Sequence, residues 1–217
     1  MKKNIFNLSA ITLVAMGTVF TGCQKDDIGA PVVTLTGSAS QTIFLHGTYT
    51  EAGATATDEE DGAITPINSG SVDEDLAGVY TLTYTATDAA GNDGTATRTV
   101  TVMHTAATTG GGFAVADLVG GSTTNYTDVL TSASVARVNT TRFANYDNTV
   151  VYFDLTGATG STVTVPSQLV TGSGTPAADR TFAGTGTISA NGKTITINYT
   201  ETAGGSTVSG VGTYVKP

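Results

Sequence analysis

The chain has 217 residues and a formal net charge of −9, with 12% charged residues, 7% aromatic residues and no Trp. Charged residues are well below the ~25% usual in a soluble domain, and no cluster of Lys and Arg offers the concentrated positive charge that phosphate binding needs, which excludes nucleic acid as a partner. The 44 Thr and 27 Gly favour extended chain, because Thr is stiff at χ1 and Gly disfavours helix, so all-α, coiled-coil and Rossmann-type architectures fit poorly.

Lys2 and Lys3 precede an apolar run over residues 5–20, closed by Thr21-Gly22-Cys23. A basic start, a short apolar core and small residues at the cut predict a cleaved secretory signal over residues 1–22. The run contains Asn7, Ser9, Thr12 and Thr18 and falls short of the ~20 apolar residues a membrane-spanning helix needs. Cys23 is the single cysteine, so no intrachain disulfide forms, and a lone thiol in an exported chain needs a role. The stretch Phe20-Thr21-Gly22-Cys23 resembles a bacterial lipobox, with Phe20 where that motif prefers Leu. The resemblance implies cleavage before Cys23 and acylation of its thiol. Two or three acyl chains at ~0.8 kcal/mol per buried CH₂ make a stable anchor. In the tether over residues 23–29, Gln24-Lys25-Asp26-Asp27 resembles the export signal of Bacteroidetes lipoproteins, which implies the outer face of the outer membrane. By its charge alone the same stretch is a solvated tether.

From Pro31 the pattern has a period of two. Tyr80, Leu82, Tyr84 and Ala86 alternate with Thr81, Thr83, Thr85 and Thr87, which puts one face in a core and the other in water. Residues 95–102 repeat the scheme, with Val100 and Val102 inward, and the turn-rich residues 88–94 join the two runs as a hairpin. Residues 32–35, 43–46 and 64–67 read as further strands. About seven short strands predict a β-sandwich over residues 30–104. Gly47-Thr48-Tyr49-Thr50-Glu51-Ala52-Gly53-Ala54, Asp61-Gly62-Ala63-Ile64-Thr65, Gly78-Val79-Tyr80-Thr81-Leu82-Thr83-Tyr84 and Asp88-Ala89-Ala90-Gly91-Asn92 resemble the bacterial Ig-like domain of a pesticidal crystal protein and of many surface lipoproteins (the DUF5011 type). That resemblance implies a spacer or binding module without catalytic residues. The carboxylates Asp58, Asp61 and Asp88 are the candidate Ca²⁺ ligands, but they lack the spacing of an EF-hand loop, and Asp before a turn more often caps its own backbone.

Residues 105–112 carry three glycines and no large apolar side chain, which predicts a flexible Gly/Thr joint. His104 reads as a strand end, because the one other histidine, His46, makes no zinc set with it. Residues 113–217 return to strand patterns at 135–138, 150–153, 163–165, 185–188, 194–199 and 208–215. Asn191-Gly192 between two alternating runs predicts a hairpin with both central residues at φ > 0. Gly184, Gly186, Gly210 and Gly212 inside strands suggest bulges or sharp coiling. The segment Phe182-Ala183-Gly184-Thr185-Gly186 through Asn191-Gly192-Lys193-Thr194-Ile195-Thr196-Ile197-Asn198-Tyr199-Thr200 is similar to the C-terminal domain that follows such Ig-like modules in Bacteroidetes lipoproteins (the DUF5012 type). The expected architecture is all-β: an Ig-like β-sandwich, then a small antiparallel barrel or sandwich.

The sequence holds no nucleophile elbow, no His-Glu-x-x-His pair and no phosphate-cradling loop, so no enzyme and no cofactor is expected. Three roles stay open. The first is a binding module, with glycan capture beside an outer-membrane transporter as its sharpest form. Tyr126 and Tyr152 are then the leading stacking candidates, Tyr146 and Tyr214 are further ones, and Arg137, Arg142 and Arg180 are candidates for meeting an acidic ligand. The second is a structural or adhesive spacer. The third is an accessory subunit docked on a surface protein. In all three the membrane is a partner through the acyl anchor.

Overall fold

The computed structural model describes residues 26–217, so the leader, Cys23, Gln24 and Lys25 lie outside the described residues. Seven strands come first: β1 (Val32–Leu35), β2 (Ser40–Phe44), β3 (Ala54–Asp58), β4 (Gly62–Ile64), β5 (Ile67–Ser69), β6 (Gly78–Thr87) and β7 (Asp93–Met103). They form two sheets, ordered β1-β3-β4 and β2-β7-β6-β5. Pairing is antiparallel except between β2 and β7. Leu82, Tyr84 and Val100 fill the space between the sheets, with Val33, Leu35 and Ile43 packed against them, as the alternation requires.

Two expected strands are corrected. The one placed at 43–46 runs instead from Ser40 to Phe44, because His46 turns the chain at φ 63 and donates its N–H to the Glu74 carbonyl. The one placed at 64–67 is two strands in different sheets. Pro66 has no N–H to give to a ladder, and the chain crosses from β4 to β5 there.

The second half contains a short helix α1 (Ala106–Thr109) and strands β8 (Gly111–Val119), β9 (Ser122–Ser132), β10 (Arg137–Asn139), β11 (Arg142–Phe143), β12 (Tyr146–Asp147), β13 (Tyr152–Thr156), β14 (Thr162–Ser173), β15 (Ala178–Ile188), β16 (Thr194–Ala203) and β17 (Ser206–Val215). Eight of them close a barrel in the order β10-β13-β14-β15-β16-β17-β8-β9. Phe113, Val115, Phe153, Phe182, Ile197 and Tyr214 are among the side chains that fill it, as expected for a ring of this size. The β11–β12 hairpin pairs only with itself. It plugs the ring from inside, with the Phe143 ring 5.3 Å from Phe182 and 5.0 Å from Tyr199.

The in-strand glycines mark close packing and not bulges. The β15–β16 and β16–β17 registers run without a break through Gly184, Gly186, Gly210 and Gly212, whereas the irregularities lie in β14 at 165–168 and 170–173. At Gly210 a Cβ would stand 2.4 Å from the Tyr199 ring, so glycine is what lets that ring lie across β17. The Asn191-Gly192 hairpin is present, but Gly192 alone takes positive φ. The turn closes from the Gly192 N–H to the Ser189 carbonyl, leaving Ala190 and Asn191 with ordinary φ.

The expected flexible joint is also corrected. Thr105 and Thr108 cap α1 reciprocally, Ala106 and Thr109 are buried, and Ala106 N–H donates to the Val135 carbonyl. Gly111 and Gly112 already pair with β9. Sandwich and barrel meet directly: Ala77 N–H donates to the Ala190 carbonyl and His104 N–H to the Thr159 carbonyl, both at 2.8 Å. Gly160 is required here, since at its φ of +65 a Cβ would lie 2.7 Å from the His104 carbonyl oxygen.

His104 is 1% exposed in this seam. Burial depresses its pKa and the repelling His46 charge adds to that, outweighing the opposing influence of the Ser189 backbone. A depressed His favours the folded state fully above its unfolded value of ~6.5 and loses that contribution as pH falls through this value. Stability is therefore expected to drop between pH 7 and 5 with a slope of up to ~1.4 kcal/mol per pH unit from this group. Urea titrations of the wild type and a His104→Gln variant at both values check it; the wild type is expected to lose more.

Candidate functional site

The acidic residues singled out at the sandwich edge lie at the end of β7 remote from the barrel. Asp58 Oδ1 accepts from the Glu60 and Asp61 N–H groups at 2.9 and 3.0 Å, and Asp61 Oδ2 accepts from Ala89 N–H at 2.6 Å. Asp88 accepts from the Asn92 backbone and side-chain N–H groups at 2.7 and 2.8 Å. Burial alone would raise the Asp88 carboxyl, but these bonds and the Gly91 and Ala90 N–H groups hold it below its usual range. The turn-capping role thus accounts for each of the three. They do not form one trio: among the described residues, Asp27 joins Asp61 and Asp88 in one group and Asp58 and Glu60 in another, each within 4.8 Å. These are the groupings with the donor chemistry for a hard cation. Asp27, read from sequence as export tether, is fixed to this corner by the Asn92 side chain, which donates to its carbonyl.

The aromatic candidates are corrected. Tyr126 is 8% exposed and faces the barrel interior, where burial pushes its hydroxyl up to about 12. The Arg142 guanidinium lies 4.7 Å from its ring centre. Tyr214 is fully inside. Tyr152 is half-buried, with the Arg137 guanidinium 4.0 Å over its ring. Tyr126 and Tyr214 offer no flat face to a sugar, and one face of Tyr152 is taken by Arg137. The three arginines are likewise engaged: Arg137 with Asp154, Arg142 with Asp147 and Arg180 with Glu201. An acidic ligand would have to displace a carboxylate at each.

A further concentration of buried polar chemistry is one that the residue patterns did not reveal. At the end of the barrel away from the sandwich, the β8–β9 turn, the β16–β17 turn and the plug surround a cavity of about 460 Å³. Asp117 and Glu201 form its floor, with Thr124, Asn145, Tyr146 and Val208 among its walls. Glu201 is bound by Arg180 and accepts from the Tyr146 hydroxyl at 3.1 Å, and Arg180 lies 4.0 Å from the Tyr146 ring centre. This clasp ties the plug to the rim. Asp117 is 3% exposed. Burial pushes its carboxyl up against the Tyr199 hydrogen bond, and the Glu201 charge adds a smaller push in the same direction.

The plug turns on Ala144 and Asn145, at φ 52 and 62. The two open turns at the same rim use Gly120-Gly121 and Gly204-Gly205 for that conformation. A Cβ at positive φ costs roughly 1–2 kcal/mol, and part of this is returned to the more flexible unfolded chain when the residue is glycine. Ala144→Gly is expected to stabilise the protein by about 0.5–1 kcal/mol, read as a raised urea midpoint at unchanged m-value.

Residues 33–102 match the family model described as bacterial surface protein, Ig-like domain. No curated protein matches the chain. Among solved structures, a lipoprotein of Bacteroides thetaiotaomicron is 19% identical, covering 84% of this chain and 98% of that one at a TM-score of 0.34. A chain described as an outer membrane protein of Bacteroides fragilis is 12% identical, covering 87% and 95% at a TM-score of 0.37. A Clostridium perfringens structure of a carbohydrate-binding module in complex with GlcNAc, with its neighbouring INT domains, is 19% identical at a TM-score of 0.29; this chain covers 30% of it and uses 49% of its own length.

Proposed function

We propose that this chain is a non-catalytic, lipid-anchored cell-surface protein in which the Ig-like domain is a stalk and the barrel is the binding module. The observation that carries the reading is the order of parts in space. The tether is pinned to the β6–β7 turn by Asn92, β7 runs from that turn to the seam, and the barrel cavity opens at the end opposite the seam. An anchor at Cys23 would therefore hold the cavity at the greatest distance from the membrane. The match of residues 33–102 to a bacterial surface domain supports the same address, as do the lipobox-like and export-like motifs at residues 20–27.

The experiment is protease shaving of intact cells against lysed cells. Release of the barrel from intact cells is expected; protection until lysis would place the protein on the periplasmic side. Glycan capture is the ligand reading that the sequence raised, and its tyrosines are buried or, at Tyr152, stacked on one face by Arg137. Binding on a glycan array that disappears in Tyr152→Ala would restore it.

The second reading is a rigid spacer, favoured by the seam itself. Two interdomain hydrogen bonds, a buried His104 and a capped turn where a loose joint was expected make a stalk that transmits orientation. A protein that is shaved from cells and captures no ligand would serve in that role.

A further inference from the structure

Asp117 is a buried carboxyl that no cationic side chain of the described residues meets. A buried carboxylate is expensive unless a cation or several donors meet it. Arg180 is spent on Glu201 and Arg142 on Asp147. The Tyr199 hydroxyl lies 2.9 Å from both Asp117 oxygens. It has one proton, so it satisfies one oxygen at a time, and a carboxylate with about four acceptor positions keeps the rest.

The residues that pair with this carboxylate are small, with the Tyr214 ring 3.1 Å from where a Gly212 side chain would begin. The register partner of Asp117 on β17 is Gly212, where a side chain would begin 3.8 Å from Asp117 Oδ1, and its partner on β9 is Thr124, a short residue. The cavity above it, about 460 Å³, falls within the range of roughly 300–1,000 Å³ typical of small-molecule sites. Val119, Ala144, Ala203 and Val208 give it apolar walls. The chain's net charge of −9 raises the local concentration of cations around it.

We propose that the barrel mouth binds a small organic amine, whose ammonium group pairs with Asp117 while its short apolar body lies against Val119, Ala144 and Val208. An ammonium supplies up to three N–H donors and the missing positive charge at once. A bare metal ion fits less well, because Glu201 is already neutralised and the walls are apolar. An anion is repelled. The inference rests on the barrel being the binding module, and it adds the chemical class of what is bound.

The test is calorimetric titration of the purified, detergent-solubilised protein with n-butylamine, putrescine and spermidine, with butanol as the uncharged control. One-site binding of n-butylamine or putrescine is expected, with none for butanol. Asp117→Asn keeps an oxygen to accept from Tyr199 and is expected to weaken amine binding about tenfold or more, the size of a lost charged hydrogen bond. Thr124→Lys, at an exposed position facing Asp117 across the ladder, sets a tethered ammonium at the mouth and is expected to compete with the free amines to a similar degree. The proposal is overturned if no amine binds, if butanol binds as well as butylamine, or if amines bind both variants as tightly as the wild type. Such a failure leaves the shaving result on intact cells untouched, so the surface reading and the amine reading fall separately.

Discussion

Replacing Arg98 by Met is expected to destabilise the protein by about 3–5 kcal/mol, the cost of breaking a buried ion pair by removing one partner. Arg98 is 0% exposed at the centre of the Ig-like domain. Its guanidinium donates to the Ser38, Thr36 and Gly53 carbonyls and to the Glu51 carboxylate, so it ties the segment after β1 and the loop before β3 to β7. Methionine matches the length and none of the donors, and four acceptors lose a partner together. Burial alone would raise the Glu51 carboxyl. Hydrogen bonds from Tyr49 and Gly53, the nearby Tyr84 hydroxyl and the Arg98 charge hold it at about 2. A depressed carboxyl favours the folded state above its unfolded value of ~4.3 and loses that contribution as pH falls toward 2. Urea unfolding at pH 7 and 3 reads both effects. The wild type is expected to be weaker at pH 3 than at pH 7, and the gap between wild type and Arg98→Met is expected to narrow at the lower pH. Against a typical total stability of about 5–15 kcal/mol, the variant would be on the edge of unfolding at neutral pH.

Phe143→Ala is the second large effect, expected at about 3–5 kcal/mol for a fully buried Phe. Phe143 is the sole large apolar side chain of the plug, and it is held in edge contact by Phe182 and Tyr199. The chain reaches it through Asp128, whose Oδ1 accepts from the Val129, Thr141 and Arg142 N–H groups and from the Thr141 hydroxyl. Without the ring, β11–β12 retains the Tyr146–Glu201 clasp and its own two-residue pairing. Hydrogen exchange separates the consequences. Amides at 142–147 are expected to lose protection beyond what the global loss explains, while β15 and β16 track global stability alone. Equal loss across plug and wall would show the plug to be part of the core and not a separable lid.

How much of this was legible in the residues follows from the range of the forces involved. The β6–β7 hairpin was readable because side chains alternate every residue along a strand, whatever lies elsewhere. The same alternation puts Arg98 on the inward row with Val100 and Val102, a signal that was present but passes for a surface charge when the partner Glu51 is 47 residues away. Residues 105–112 look like a joint by composition. They are ordered by contacts with Val135 and Leu130, which no local pattern carries. Thr105 and Thr108, spaced as a reciprocal cap, were the one local clue.

The mouth was hidden for a topological reason. Asp117 follows Val115 on the inward row of β8, and Glu201 follows Tyr199 on that of β16. Those rows meet only once β17 lies between the two strands in the closed ring. Tyr126 failed as a stacking residue because an inward position in a barrel and an exposed one in an open sheet have the same period. The plug escaped detection because two-residue strands carry no periodicity, and because Ala144 occupies a conformation normally marked by glycine.

The proposed surface role rests on an acyl anchor at Cys23, which would set stalk and mouth outward. Mass spectrometry of the protein extracted from its native membranes tests it directly. The expected result is a polypeptide beginning at Cys23 and carrying covalent acyl chains on that residue. A mature chain with an unmodified Cys23, or one cut at another position, would contradict it.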